Sequence, residues 1–355
     1  MNATVVVRGD GVAAACCVRS LSAHDLPVSV VRAGRPKLSA VLLGEATQSL
    51  LTDLFMDKKL FAGLPQIRKR VVAWGPGSQP IVLPHSAIVV SEHDLLERLW
   101  ARVQKPIEEN QDTENQHTEN HDTDNRNTAA WEIISSRMED PGRDERRFGS
   151  RSAFVSNVQL KTAADRESCW AESLDAGWLF LFPVHGASAC LISVGGPAPS
   201  LIAKSRLIAA QVEPPITSAA EFPAYPRILS QLCGSRWLAC GTAAVAFDPL
   251  CGEGVANAVR EAILASAVIR AAAQGSDVES LLAHYDSRLM SGFLRHLQMC
   301  HHYYSTGGTG PFWSPNGLLS ASALSTNYIR PRSLKLVAMT HSLPAALSAC
   351  RFSIG

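Results

Sequence analysis

The sequence predicts an α/β protein that opens with a dinucleotide-binding βαβ unit, and three stretches predict it. The apolar run Thr4–Val7 leads into "RGDGVAAACC", residues 8 to 17; a second short strand, Val28–Val31, follows one helix later; and residues 237 to 263 read "WLACGTAAVAFDPLCGEGVANAVREAI". The last of these is a strand, a Gly-Thr turn, Asp-Pro, Gly-x-Gly and an amphipathic helix.

In the first unit Gly9, Gly11 and Ala14 match G-x-G-x-x-A, with Val12 and Ala13 carrying the turn into the helix. The glycines let the backbone approach a pyrophosphate, the N–H groups of the helix start meet its charge, and the third position needs only a small side chain so that helix and strand pack closely. The acid that would hold a ribose hydroxyl at the end of the second strand is absent. Arg32 stands there instead. An arginine cannot accept a hydrogen bond but contacts phosphate well.

Composition narrows the class. With 355 residues, 46% apolar and 18% charged, the chain is an ordinary globular protein of about two domains. A net charge of +1, with Lys and Arg scattered, offers no footprint for nucleic acid. No long uncharged apolar stretch marks a membrane span and no basic lead with an apolar region marks a secretory signal, so the expected compartment is the cytoplasm. The nine cysteines include no C-x-x-C pair, and adjacent Cys16 and Cys17 fit small buried positions on a helix. No metal site is expected.

Between these units the organisation is predicted as follows: residues 1–103, first part of the cofactor domain; 104–128, a disordered polar insertion; 129–236, a mainly β-rich substrate domain; 237–275, second part of the cofactor domain; and 276–355, a helical C-terminal region. The insertion reads "QKPIEENQDTENQHTENHDTDNRNT" and cannot bury enough apolar surface to offset its ordering entropy. His117 and His121 within it fit a solvated tract better than a metal site. Strands are expected around 70–74 and 88–90, a helix over 92–102, and further strands at 152–160, 178–182 and 190–194.

The stretch from Trp237 resembles the second FAD motif of the flavin-dependent monooxygenase and tryptophan-halogenase superfamily, G-D-A-A-x-x-x-x-P-x-x-G-x-G. It matches at Gly241, Ala243, Ala244, Pro249, Gly252 and Gly254, with Thr242 in place of the aspartate. The resemblance extends from Thr4 to about Trp313, and "LLGEATQSLL", residues 42 to 51, is similar to the family's Gly-Glu turn. It implies a Rossmann-type FAD-binding domain with an inserted β-rich substrate domain, as in p-hydroxybenzoate hydroxylase. FAD contacts are implied at Gly9, Gly11, Val12, Ala13, Ala14, Arg32, Glu45, Thr47, Gly241, Thr242, Asp248, Pro249, Gly252, Glu253, Gly254 and Val255.

The implied activity is an FAD-dependent oxidoreductase, a monooxygenase that hydroxylates an aromatic or indolic small molecule or peptide side chain through a flavin hydroperoxide. Its electrons would come from NAD(P)H or from a separate flavin reductase; only "WEIISSR", Trp131 to Arg137, stands where an NADPH-supporting segment is sought. Two alternatives remain at this stage. "GWLFLFPV", residues 177 to 184, is close to the halogenase W-x-W-x-I-P, but Lys69, the lysine on the strand after the Gly-Glu turn, comes too early for a halogenase lysine. The missing acids are the argument for a flavin-fold binding protein without turnover. Candidate catalytic side chains are His185 and Tyr303, with His301, His302 and Tyr304 in the same C-terminal region, and Cys251 expected close to the flavin ring.

Overall fold

The computed structural model describes residues 4–34, 37–103, 107–108, 130–137, 144–217 and 220–314. The strands in chain order are β1 (Val5–Arg8), β2 (Val28–Val31), β3 (Val41–Gly44), β4 (Gln66–Ala73), β5 (Ile81–Val90), β6 (Ile107–Glu108), β7 (Trp131–Ile134), β8 (Glu145–Arg147), β9 (Ser152–Leu160), β10 (Ser168–Leu174), β11 (Gly177–His185), β12 (Ser188–Val194), β13 (Val212–Glu213), β14 (Ala220–Pro223), β15 (Arg227–Leu229), β16 (Cys233–Gly234), β17 (Trp237–Ala239) and β18 (Val245–Ala246). The helices are α1 (Val12–Ser22), α2 (Glu45–Phe55), α3 (Glu92–Trp100), α4 (Ala198–Ile202), α5 (Gly241–Ala244), α6 (Gly254–Ala273) and α7 (Val278–Thr306).

The first sheet has the order β16-β17-β7-β1-β2-β6. All its pairs are parallel except β16 with β17, so the predicted βαβ start is present, with β1 at the centre between β2 and β7. Both faces of such a sheet must be covered, which is why β1 and β2 read as nearly unbroken valine. α1 and α6 pack against each other, and both carry fully buried small residues, Ala14, Ala15 and Cys17 on one, Ala262 and Ala265 on the other. Cys17 Sγ lies 3.8 Å from the carbonyl oxygen of Ala262, a backbone approach that larger residues would prevent.

The second sheet runs β13-β9-β12-β11-β10-β4-β5-β3, with β14 added on β9. Its alternating apolar residues Val158, Leu160, Trp170, Leu179, Leu181 and Leu191 bury one face beneath α4 and the loop carrying Ile208. Glu172, buried in β10, anchors that loop by accepting from the backbone N–H groups of Arg206, Leu207 and Ile208.

The two sheets interleave in sequence more than the boundaries 1–103, 129–236 and 237–275 anticipate. β3, β4 and β5 come from the first segment yet belong to the β-rich sheet, where β4 pairs in parallel with β10. Conversely β7 and β16 come from the middle segment and complete the first sheet. A strand's pattern reports that it is buried, not which sheet buries it. Within the predicted insertion, Ile107 and Glu108 pair in parallel with β2 as an edge strand. The rest of that tract, with His117 and His121, and residues 315–355 of the predicted C-terminal region lie outside the described residues. No helix among the described residues is long and apolar enough to cross a membrane.

Candidate functional site

Three parallel strands, β1, β7 and β17, end side by side, and the turn after each lies on the same edge. This is where open α/β sheets bind ligands. Gly9 follows β1 with φ +131°, and a Cβ there would lie closer than 3.0 Å to the hydroxyl oxygens of Ser135 and Ser136 at the end of β7. Only glycine lets the two turns come that close. Gly241, after β17, is likewise left-handed at φ +56°; an added Cβ would meet Ala13 of α1 at 2.8 Å. The Gly9 and Gly241 turns are therefore packed together through the start of α1, which explains why both motifs carry small residues there.

The first turn of α1 offers N–H groups to a ligand. Gly11 is its N-cap and no side chain caps it. The same holds for α2, capped by Gly44, and for α6, capped by Glu253. By contrast α3 and α7 are closed by Ser91 and Asp277, whose side chains accept from Asp94 and Ser280 N–H groups. The helices whose starts fall in the predicted cofactor motifs thus leave their N-terminal donors for something else. Val12, Ala13 and Ala14 are buried in α1, so any contact they make is through backbone.

The approach to α6 is built by Asp248. Its side chain is 1% exposed; Oδ1 accepts from Leu250 N–H at 2.9 Å and Oδ2 from Tyr304 Oη at 2.9 Å. Its own N–H donates to His296 Nε2 at 2.8 Å. Burial pushes the Asp248 carboxyl up to about 6, against the pull of these donors and of Arg151, and burial lowers His296 to about 4. Asp248 therefore acts on the site as a positioning residue: it fixes the tight turn Pro249–Cys251, beyond which Gly252, at φ +64°, redirects the chain into α6. An added Cβ at Gly252 or Gly254 meets nothing within 4 Å among the described residues. Space in front of this turn is open, and Glu253 and Val255 flank it half-buried.

Around the turn stands a wall of aromatic side chains that the sequence did not reveal as a group. Trp178 Nε1 donates to Tyr304 Oη at 3.2 Å, linking the second sheet to α7 and so to Asp248. The Arg151 guanidinium lies 3.9 Å from the centre of the Tyr304 ring. Trp74 donates from Nε1 to the Tyr303 carbonyl at 3.2 Å and meets Trp313 edge-on at 5.5 Å. Leu250, Cys251, Trp74 and Phe312 pack, partly exposed, against this buried group.

The remaining predicted residues separate clearly. Tyr303 is half-buried beside Trp74, and burial, with smaller contributions from Cys251 and Glu253 against Arg70, raises its hydroxyl pKa. His185 is exposed at the β11–β12 hairpin, seven residues along β11 from Trp178, roughly 23 Å at strand rise. Its geometry puts it apart from the aromatic wall. Arg32 is exposed after β2, with its guanidinium 5.0 Å from the centre of the Trp100 ring. Asp10, between the first two glycines, pairs with Lys37 at 2.9 Å while its Oδ1 is buried with no hydrogen-bond partner among the described residues. Glu45 is exposed on the first turn of α2 and Thr47 is buried there. Thr242 is exposed, its Oγ1 3.4 Å from the Ser135 carbonyl. Lys69 is an exposed residue of β4 paired with Asp165 at 3.0 Å.

No family model and no curated protein matches this sequence. Solved structures do. The chain superposes on the peptidyl tryptophan dihydroxylase QhpG with a TM-score of 0.69 and 17% identity, over 96% of this chain and 82% of that one. The fold is that of flavin-dependent hydroxylases and halogenases. The myxobacterial chondrochloren halogenase CndH matches with a TM-score of 0.69 and 15% identity, over 91% of this chain and 88% of its own. HpxO of Klebsiella pneumoniae, solved with FAD and uric acid, matches with a TM-score of 0.61 and 16% identity, over 86% and 89%. The predicted Rossmann-type architecture with an added β-rich sheet is therefore the fold of this chain.

Proposed function

We propose that the chain is an FAD-dependent oxidoreductase that hydroxylates an aromatic or indolic substrate, free or as a peptide side chain. The observation that carries this reading is the open space before Gly252 and Gly254 at the uncapped start of α6, on a fold whose solved neighbours are flavoenzymes. FAD fits the residues present: donors of α1 for the pyrophosphate, Thr242 for the ribityl chain, and bare backbone of Gly252 and Gly254 against the ring. When bound, it would supply oxygen activation, chemistry that no side chain here performs.

The protein's own part is binding, orientation and exclusion of water. The first turn of α6 favours negative charge on the group in front of it. Trp74, Tyr303 and Phe312 offer flat apolar surface for an aromatic substrate beside that group, and Trp178, Tyr304 and Trp313 back them. The peptidyl tryptophan dihydroxylase among the neighbours supports an indole as the group to be held. Lys69, paired with Asp165 on the surface, favours hydroxylation over halogenation. A cytoplasmic setting and electron supply by NAD(P)H or a flavin reductase belong to the same proposal.

Equilibrium dialysis against FAD tests the cofactor; reduced flavin and oxygen with indolic and phenolic probes test the reaction. Absence of FAD binding at high flavin concentration leaves a fold without its cofactor and ends this reading. Replacement of Lys69 by Ala is expected to leave product formation unchanged with or without bromide, as judged by mass spectrometry; a brominated product lost in that variant would establish halogenation instead. Thr242→Asp should tighten FAD by roughly 1 to 2 kcal/mol, because a carboxylate accepts a ribityl hydroxyl more strongly than a threonine does. A flavin titration showing weaker binding in that variant would mean that the α5 turn faces away from the cofactor.

A further inference from the structure

The turn before α6 carries a second chemistry. We propose that Cys251 and Cys300 form a thiol–disulfide redox pair, with Cys251 as the attacking thiol, Cys300 as the resolving thiol, and a small-molecule disulfide of the glutathione type as exchange partner. The two sulfurs lie 3.8 Å apart although 49 residues separate them in sequence. That is the contact distance of unbonded thiols, and a disulfide requires about 2.05 Å. The closing movement falls to the Pro249–Cys251 turn, since Cys300 lies within α7, and a Cβ added at Gly252 after the turn would meet nothing within 4 Å among the described residues.

Access distinguishes this pair from the other close one. Cys17 and Cys240 are 3.9 Å apart but both are fully buried, so no reagent reaches either. Cys251 is partly exposed and Cys300 is fully buried, the asymmetry of an attacking and a resolving thiol. His296 packs against the buried member: its Nε2 lies 3.3 Å from Cys300 Sγ and accepts the Asp248 N–H, so the ring is neutral with its proton on Nδ1. The three residues also cluster as soft metal ligands do, but the lone pair that a cation would need is already engaged by the Asp248 amide.

The exchange balances. Cys251 loses its proton to water and, as thiolate, attacks one sulfur of the external disulfide, whose S–S bond breaks and releases one thiolate, protonated by water. Cys300 then attacks the Cys251 sulfur of the mixed disulfide, its proton leaving with the second thiol. Two protein thiols are oxidised and one external disulfide is reduced to two thiols. Closure ties the turn that leads into α6 to α7.

The full-length protein is equilibrated anaerobically in glutathione buffers of graded ratio with a chelator, alkylated, and examined by intact mass and peptide mapping. Oxidation is expected to remove two hydrogens and two alkylatable thiols, with a cross-linked peptide joining residues 251 and 300. Cys300→Ser should trap one glutathione on Cys251, while Cys251→Ser should leave Cys300 unmodified; a melting curve for each variant shows that it is folded, and a variant that is not is replaced by the alanine form. Free, alkylated Cys251 and Cys300 in wild type at the most oxidising ratio overturn the proposal. So does equal glutathionylation of Cys300 when Cys251 is absent, or, without chelator, one equivalent of bound zinc lost in either variant. The readout is thiol count and cross-link mass, not flavin binding or turnover, so its result is distinguishable from that of the flavin reading.

Discussion

Gly254→Val is expected to weaken FAD binding at least a hundredfold while leaving the melting temperature of the apo-protein within a few degrees of wild type. A hundredfold loss corresponds to roughly 2.7 kcal/mol. The reasoning rests on what surrounds the position: an added Cβ meets no described atom within 4 Å, so the protein itself tolerates the side chain. Valine at a helix start costs less than about 1 kcal/mol relative to other residues, and glycine is itself a poor helix former. On the proposed reading, the isopropyl group fills the space that the flavin ring would take. Gly9→Ala would not serve as the same test, because its Cβ collides with Ser135 and Ser136 at φ +131° and loss of cofactor would follow from loss of fold. Fluorescence titration of FAD and thermal melts of the apo-protein decide the matter together. Wild-type FAD affinity in Gly254→Val would mean that the ring does not lie before α6.

The contrast between Gly9 and Gly254 shows what sequence could reveal. Both turns were legible, because each is local: a few small residues at fixed spacing between a strand and a helix determine where backbone can come close. The packing of the Gly9 turn against the Gly241 turn, through Ala13, was not stated by either motif alone. Longer-range features were hidden for the same reason that they matter. β4 joins β10 across about a hundred residues, and no pattern within β4 names that partner. Ile107 and Glu108 are held by backbone pairing to β2, which leaves no signature in a polar tract. Trp74, Arg151, Trp178 and the α7 pair His296 and Cys300 come from four separate elements or loops and meet only after folding around Asp248. The His-x-x-x-Cys spacing on α7 was the one local sign of that meeting, since residues four apart share a helix face. Asp248, expected at the cofactor, turns its carboxylate inward to Leu250 N–H and Tyr304 Oη and holds the turn before α6.

The same inward turn governs Glu261, and it yields a pH dependence. This residue of α6 is 8% exposed, and its Oε2 accepts the Gly241 N–H at 2.7 Å. Burial raises its pKa from 4.5 to about 8, outweighing the hydrogen bond that lowers it. Between those two values the folded chain keeps a proton that the unfolded chain releases. Stability from this group is therefore complete below about pH 4.5 and is lost as pH rises through about 8, at up to roughly 1.4 kcal/mol per pH unit. Asp248 contributes in the same sense, but its window closes at about 6, so the range from pH 6.5 to 9 isolates Glu261. Glu261→Gln retains an oxygen for the Gly241 N–H and never ionises. Thermal melts are expected to show wild type losing several degrees between pH 6.5 and 9 while the glutamine variant stays nearly level over the part of that slope due to this site. Between pH 6.5 and 9 the wild type should lose roughly 2 kcal/mol relative to the variant, for the one and a half units crossed below the folded pKa. Parallel curves for the two proteins would mean that water or structural relaxation solvates Glu261, and that the Gly241 turn is held by packing against Ala13 rather than by a buried acid.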